Sequence, residues 1–228
     1  VSIERPFEDF TRTVASTARL LEWLRGSGTD CAVIAASSAA VYGADHSGPI
    51  VETAVATPMS PYGQHKFMME QLCRSYAQSF GLHCTIVRLF SVYGPNLRKQ
   101  LLWDICSRLE AKEPVLTLGG TGSEIRDWTD VRDVARLLAG LAKPSSQQTF
   151  RIINGGSGRG TSVADIAAGL IKLWGGNTVV QHSGVSRPGD PASLLADDAM
   201  LRQIGFDWHI ALDQGLADYV AWFKGRAS

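Results

Sequence analysis

The chain has 228 residues, 45% of them hydrophobic and 19% charged, and its 22 basic and 22 acidic side chains cancel to a formal net charge of zero. That length can bury a sizeable core with a smaller companion region. The charge balance excludes a global polybasic affinity for nucleic acid or acidic membranes, while leaving single arginines free to hold phosphates. A mean hydropathy of -0.01 with recurrent apolar segments argues against a disordered or fibrous chain, despite 23 glycines. Cys31, Cys73, Cys84 and Cys106 form no CxxC pair and read as reduced thiols, with no metal site. No signal peptide is visible and no apolar stretch is long enough to span a bilayer, so the expectation is a cytoplasmic protein with no membrane insertion.

In chain order, Val14, Ala18, Leu21 and Leu24 recur at helical spacing, and Gly26-Ser27-Gly28 supplies a stop. Cys31 to Ala36 reads as a strand that runs into Ser37-Ser38 at a strand-to-loop transition. Ser60-Pro61 predicts a helix start, with Ser60 as cap and Pro61 in the first turn, and that helix ends near Gly81. Cys84 to Phe90 is almost continuously apolar apart from Arg88 and reads as a central parallel strand. A helix is expected over Leu101 to Leu109, a strand over Val115 to Leu118, and a helix capped by Asp130. Phe150 to Ile153 reads as a strand, Ser162 caps a helix that stops at Gly175, and helices follow around Asp198 to Gln203 and Leu212 to Phe223. The order implies an α/β fold, a partial Rossmann-like parallel sheet interleaved with a small substrate-binding region. The expected division is 1–93 with 119–177 for the Rossmann-like part, and 94–118 with 178–228 for the substrate-binding region.

The chemistry concentrates in Ser38 and in Tyr62-Gly63-Gln64-His65-Lys66. Tyr62 and Lys66 stand one helical turn apart and share a face. An ammonium near a phenol favours phenolate, and Ser38 can donate a hydrogen bond to a carbonyl or alcohol oxygen, so Tyr62 can exchange a proton during hydride transfer. Tyr and Lys at this spacing also occur on ordinary amphipathic helices; the flanking Ser-Ser-Ala-Ala-Val-Tyr-Gly and Ser-Pro sequences favour the chemical reading.

Taken with Val87-Arg88-Leu89-Phe90-Ser91-Val92-Tyr93-Gly94-Pro95, Gly122 to Val131 and Arg187-Pro188-Gly189-Asp190-Pro191, these segments make the chain resemble an extended short-chain dehydrogenase/reductase of the nucleotide-sugar epimerase/dehydratase family. The resemblance implies a Rossmann-type domain for NAD and a nucleoside-diphosphate sugar, most simply a UDP-hexose, as substrate. It implies Ser38, Tyr62 and Lys66 as the catalytic group, and Ala36, Ser37, Tyr62, Lys66, Phe90, Ser91 and Val92 beside the cofactor. Ser38, Ser91, Gln100, Leu101, Thr117, Leu118, Arg126, Arg187 and Asp190 are implied for the substrate, the two arginines at its diphosphate; a homodimer is also compatible. Paired guanidinium groups hold a diphosphate through directional bonds without making the chain basic. The competing reading pairs Arg126 with Asp127 or Asp130, and Arg187 with Asp190.

The family's early GxxGxxG turn is not found. Gly26-Ser27-Gly28 follows a helix, and Gly155 to Gly160 follows a late strand. The expectation is therefore that roughly 80 to 100 upstream residues of a βαβαβ unit lie outside this sequence, and that the 228-residue chain alone binds NAD weakly. Thr13 and Ser91 stand where the family often places Asn, and each loses an amide's paired donor and acceptor. C4 epimerisation through a 4-keto intermediate is the leading reading. A 4,6-dehydratase is disfavoured by Ala39-Ala40 after Ser38, where that chemistry commonly needs an acidic pair. A non-catalytic nucleotide-sugar-binding protein is the remaining alternative.

Overall fold

The computed structural model describes residues 2–28, 30–142, 149–185 and 189–226. It opens with α1 (Pro6–Phe10), a π-helical turn (Thr11–Ala15) and α2 (Ser16–Ser27), closed by Gly28 in the left-handed region at φ 65°. Then come β1 (Ala32–Ser38), a 3-10 turn (Ala39–Val41), β2 (Pro49–Ile50), α3 (Pro61–Phe80), β3 (His83–Leu89) and β4 (Ser91–Tyr93). They are followed by α4 (Gln100–Glu110), β5 (Val115–Leu118), β6 (Ile125–Asp130), α5 (Val131–Leu141), β7 (Phe150–Gly155) and β8 (Gly160–Ser162). The chain continues through α6 (Val163–Trp174), β9 (Val179–His182), β10 (Ser193–Ala196), α7 (Ala199–Gln203) and α8 (Leu212–Gly225).

The caps read from the sequence are formed. Ser60 Oγ accepts from the Gly63 N–H at 3.1 Å, Asp130 from the Arg132 N–H at 2.9 Å, and Ser162 from the Asp165 N–H at 3.0 Å. Each satisfies an amide that has no partner inside its helix.

Strands β1, β3 and β7 form a parallel sheet in the order β1-β3-β7, with Ser38 opposite Leu89 and Leu89 opposite Gly155. Helices cover both faces, because alternate residues of β3 point to opposite sides. Cys84 and Ile86 pack with Leu21 of α2 and with Cys73 and Ala77 of α3; Val87 packs with Leu137 and Leu141 of α5. This is the expected α/β organisation, with a parallel Rossmann-like sheet. A second sheet runs β2-β10-β6-β4, with β8 antiparallel to β6, and β5 pairs with β9. The largest core joins Leu102 and Ile105 of α4, Ile166 and Leu170 of α6, and Tyr219 and Phe223 of α8. Thus α6, assigned by the expected division to the first part, shares its core with α4 and α8 of the second.

Strands β2, β4, β6, β8, β9 and β10 go unread in the sequence. Ile125–Asp130 carries three charged residues in six, and two of them, Asp127 and Asp130, are buried as hydrogen-bond acceptors, which hides any apolar alternation. All four thiols are free. Among the described residues no His, Cys, Asp and Glu side chains gather as a metal site, and no helix is long and apolar enough to cross a membrane.

Candidate active site

Parallel strands bring their C-terminal ends to one edge, where α/β sheets bind ligands. Ser38 ends β1 there, in extended backbone, and its Oγ accepts from the Ala40 N–H at 3.2 Å. Tyr62 and Lys66 lie in the first turns of α3, which packs closely on the turn after Ser38. A Cβ on Gly63 would lie 2.6 Å from the Ala40 carbonyl oxygen, so only glycine lets the helix approach this far. Ser38 lies close enough to the Tyr62 phenol to hold its pKa down. Lys66 Nζ donates to the Ala36 carbonyl at 2.8 Å and lies 5.8 Å from the Tyr62 ring centre.

Burial pushes the Tyr62 phenol above its ordinary value, Ser38 opposes this, and the Asp9 charge adds to it. The hydrogen bond from Lys66 to the Ala36 carbonyl leaves the ammonium its positive charge and its other N–H donors. Burial lowers the Lys66 pKa, with Asp9 and Glu70 acting the other way.

Two supports beneath this group are missed by sequence reasoning. Glu70, one turn beyond Lys66, is fully buried and accepts from Ser37 Oγ at 2.5 Å, Arg88 Nε at 3.0 Å and Arg88 Nη2 at 2.7 Å. Arg88 also donates to the Glu52 carbonyl and lies 4.6 Å over the Tyr42 ring. The available signal is the lone Arg88 inside an apolar strand, since a buried guanidinium requires a carboxylate. The other support is Asp9 of α1, whose Oδ2 lies 2.6 Å from His65 Nδ1, with the Phe10 ring packed edge-on against the imidazole. The π-helical turn that follows α1 contains Thr13, whose carbonyl accepts from Thr17 Oγ1.

Ser91, Leu101, Arg126 and Asp190 meet in one cavity of about 290 Å³, which Glu124 and Trp128 also line. Arg126 is in neither of the expected ion pairs. Asp127 accepts instead from Ser157 and Gly158 N–H, and Asp130 from Arg132. Among the described residues the Arg126 side chain donates only to the Ile125 carbonyl, and burial lowers its pKa against the opposing charges of Asp190 and Glu124. A second cavity of about 390 Å³, lined by Ala40, Met59, Ser60 and Pro61, meets the first at Asp190. Their linings run from the start of α3 to Arg126.

Other named residues are placed differently. Ala36 and Ser37 lie at the end of β1, and Phe90, Ser91 and Val92 follow β3 at the same edge of the sheet. Gln100 is exposed at the start of α4, Thr117 is exposed on β5, and Leu118 is buried in the core around α4, α6 and α8. Arg187 lies outside the described residues. The loop after β7 is held by Asp127, so its Ser157 and Gly158 amides are already bonded and do not form a phosphate cradle.

The sequence pattern of the NAD dependent epimerase/dehydratase family matches residues 1–156. An uncharacterized UDP-glucose epimerase of Bacillus subtilis (strain 168) is 31% identical over 213 residues, covering 92% of this chain and 66% of that protein. A UDP-glucose 4-epimerase of Azospirillum brasilense is 32% identical over 241 residues, covering 97% of this chain and 68% of that protein. The chain therefore spans 66% and 68% of these relatives' lengths. Among solved structures, the UDP-glucuronic acid 4-epimerase of Bacillus cereus, in complex with UDP-glucuronic acid and NAD, superposes with a TM-score of 0.85 at 29% identity. It matches 94% of this chain and 68% of that one.

Proposed function

Because the chain belongs to the NAD dependent epimerase/dehydratase family, we propose that the protein carrying it is an NAD-dependent epimerase that inverts C4 of a nucleoside-diphosphate hexose, most directly a UDP-hexose, through a 4-keto intermediate. The observation that carries this reading is the Ser38, Tyr62 and Lys66 group at the C-terminal edge of the sheet, joined through Asp190 to a cavity whose Arg126 has no carboxylate hydrogen-bonded to it among the described residues.

The residues at that edge fit a dinucleotide. Lys66 presents a partly desolvated ammonium with no carboxylate hydrogen-bonded to it among the described residues, suited to ribose hydroxyls, and Ala36, Ser37, Phe90, Ser91 and Val92 would flank the nicotinamide end. NAD, when bound, supplies the hydride acceptor and donor that the side chains lack. The chain's own residues do the rest. Tyr62 is the acid–base group for the sugar 4-hydroxyl, and Ser38, beside the phenol, donates to the same substrate oxygen. Lys66 contributes positive charge 5.8 Å from the Tyr62 ring centre, and Glu70 fixes Ser37 and hence the end of β1. Arg126 takes a phosphate oxygen in place of the solvent that burial removes from it.

Ala39 and Ala40 put no acidic group beside Ser38, which favours epimerisation over 4,6-dehydration. We also propose a homodimer through α2 and α3, which pack together and expose Leu20, Trp23 and Met68. The free thiols fit a reducing compartment, and on that ground we place the enzyme in the cytoplasm. Proton NMR of the protein incubated with NAD and UDP-glucose tests the reading. UDP-galactose is the expected product, and a 4-keto-6-deoxy sugar in its place would reject it.

A further inference from the structure

Two parts of the chain must meet for Tyr62 and Ser38 to act on one substrate oxygen: the turn that begins at Ser38, and the first turn of α3. Tyr42 closes the first of these and is fixed to the sheet. Its side chain is fully buried, its hydroxyl donates to Asn154 Oδ1 of β7 at 2.6 Å, and the Arg88 guanidinium lies 4.6 Å from its ring centre. The Tyr42 carbonyl accepts from Thr57 Oγ1 at 2.7 Å and lies 3.1 Å from His46 Nε2. Thr57 in turn opens the run Thr57-Pro58-Met59-Ser60-Pro61 that leads into Tyr62. Gln64 Nε2 donates back to the Pro58 carbonyl at 2.9 Å, and Ser60 accepts from the Gly63 N–H, so this run is tied to the start of the helix.

The fit between the two parts is close. A Cβ on Gly43, at φ 85°, would lie 2.6 Å from Thr57 Oγ1 and closer still to the Thr57 carbonyl oxygen. On the other flank, a Cβ on Gly63 would crowd both the Ala40 carbonyl and, at 3.0 Å, Pro58 Cβ. Only glycines allow both approaches. The Thr57 hydroxyl is the directional bond within this contact, one donor set on a carbonyl whose residue is anchored to β7.

We propose that Thr57 is a positioning residue of the active site: through the Tyr42 carbonyl it holds the entry to α3 on the turn after Ser38, and so sets the spacing of Ser38 and Tyr62. The kinetic consequence rests on the epimerase reading; the spacing does not. Thr57→Val removes the donor and suits the extended backbone that a residue before proline prefers, Thr57→Ala removes it without adding a methyl, and Thr57→Ser keeps it. With NAD saturating, both Thr57→Val and Thr57→Ala should lower kcat for UDP-glucose about fivefold or more while KM changes less than about twofold, because misplaced reacting groups cost rate before binding. Thr57→Ser should stay close to wild type. The spacing is read without turnover by ultraviolet titration of the Tyr62 phenol, taken as the difference from Tyr62→Phe. Ser38 holds that phenol's pKa down, so its titration should move to higher pH in Thr57→Val and Thr57→Ala and stay in place in Thr57→Ser. A hydroxyl that only stabilised the loop would lower Tm and move neither readout. A wild-type kcat or an unmoved phenol titration in Thr57→Val and Thr57→Ala, or a Thr57→Ser protein as slow as Thr57→Val, would overturn the proposal. If the wild type itself turns over no UDP-glucose, the epimerase reading fails and the titration alone decides the role of Thr57.

Discussion

Replacing Glu70 by Gln should unsettle the catalytic edge from beneath. Glu70 is fully buried and its two oxygens accept from three donors, Ser37 Oγ and the Nε and Nη2 of Arg88. Gln keeps one acceptor and turns the other oxygen into a donor facing the guanidinium. Arg88 then stays buried with no carboxylate against it, left with the single Gln oxygen, the Glu52 carbonyl and the Tyr42 ring. Removing one partner of a buried ion pair typically costs about 3–5 kcal/mol. For a protein of this size that corresponds to a fall in Tm of about 6–20 °C. Urea unfolding and calorimetry measure it directly. Because much of the cost is an uncompensated charge, Arg88→Met in the Glu70→Gln background should recover more than half of the loss. A single-variant loss below about 1 kcal/mol, or further destabilisation by the second change, would refute the reasoning.

Tyr62→Phe should reduce turnover by about 100-fold or more while preserving the fold, as expected for a lost acid–base group; an NMR time course with matched circular dichroism checks both parts. Because Asp9 raises the Tyr62 pKa and Ser38 lowers it, Asp9→Asn should move the phenol's ultraviolet titration to lower pH and Ser38→Ala to higher pH. Hydrogen bonds from Thr121 and Gly122 hold the Glu124 carboxyl at about 2, below its ordinary 4.5. A depressed folded-state value stabilises above the unfolded pKa and is lost as pH falls through the folded one, so this contribution should fade between pH 4.5 and about 2. Glu124→Gln should flatten that part of an acid-unfolding curve relative to wild type.

Local signals made much of the framework legible. Ser60-Pro61, Asp130 and Ser162 marked helix starts because a side-chain oxygen must meet an otherwise unpaired amide, and Gly28, Gly81 and Gly175 marked ends because they take positive φ. Tyr62 and Lys66 were visible because a one-turn spacing is local. What stayed hidden depends on contacts distant in sequence. The pairing of Glu70 with Arg88 joins a helix to a strand, that of Asp9 with His65 joins α1 to α3, and Asp127 of β6 is buried against the loop that follows β7 and the end of β10. One turn brings Lys66 near the ring, while its hydrogen bond to the Ala36 carbonyl depends on β1, thirty residues away, and is not legible from spacing.

The most direct test of the central claim follows the C4 hydrogen. The protein is incubated with NAD and UDP-glucose deuterated at C4, and the UDP-galactose formed is examined by NMR. Oxidation and reduction at one carbon, with Tyr62 handling only the hydroxyl proton, predict that the deuterium is retained at C4 of the product. Its replacement by solvent hydrogen would mean that the C4 hydrogen leaves as a proton, and would contradict the account.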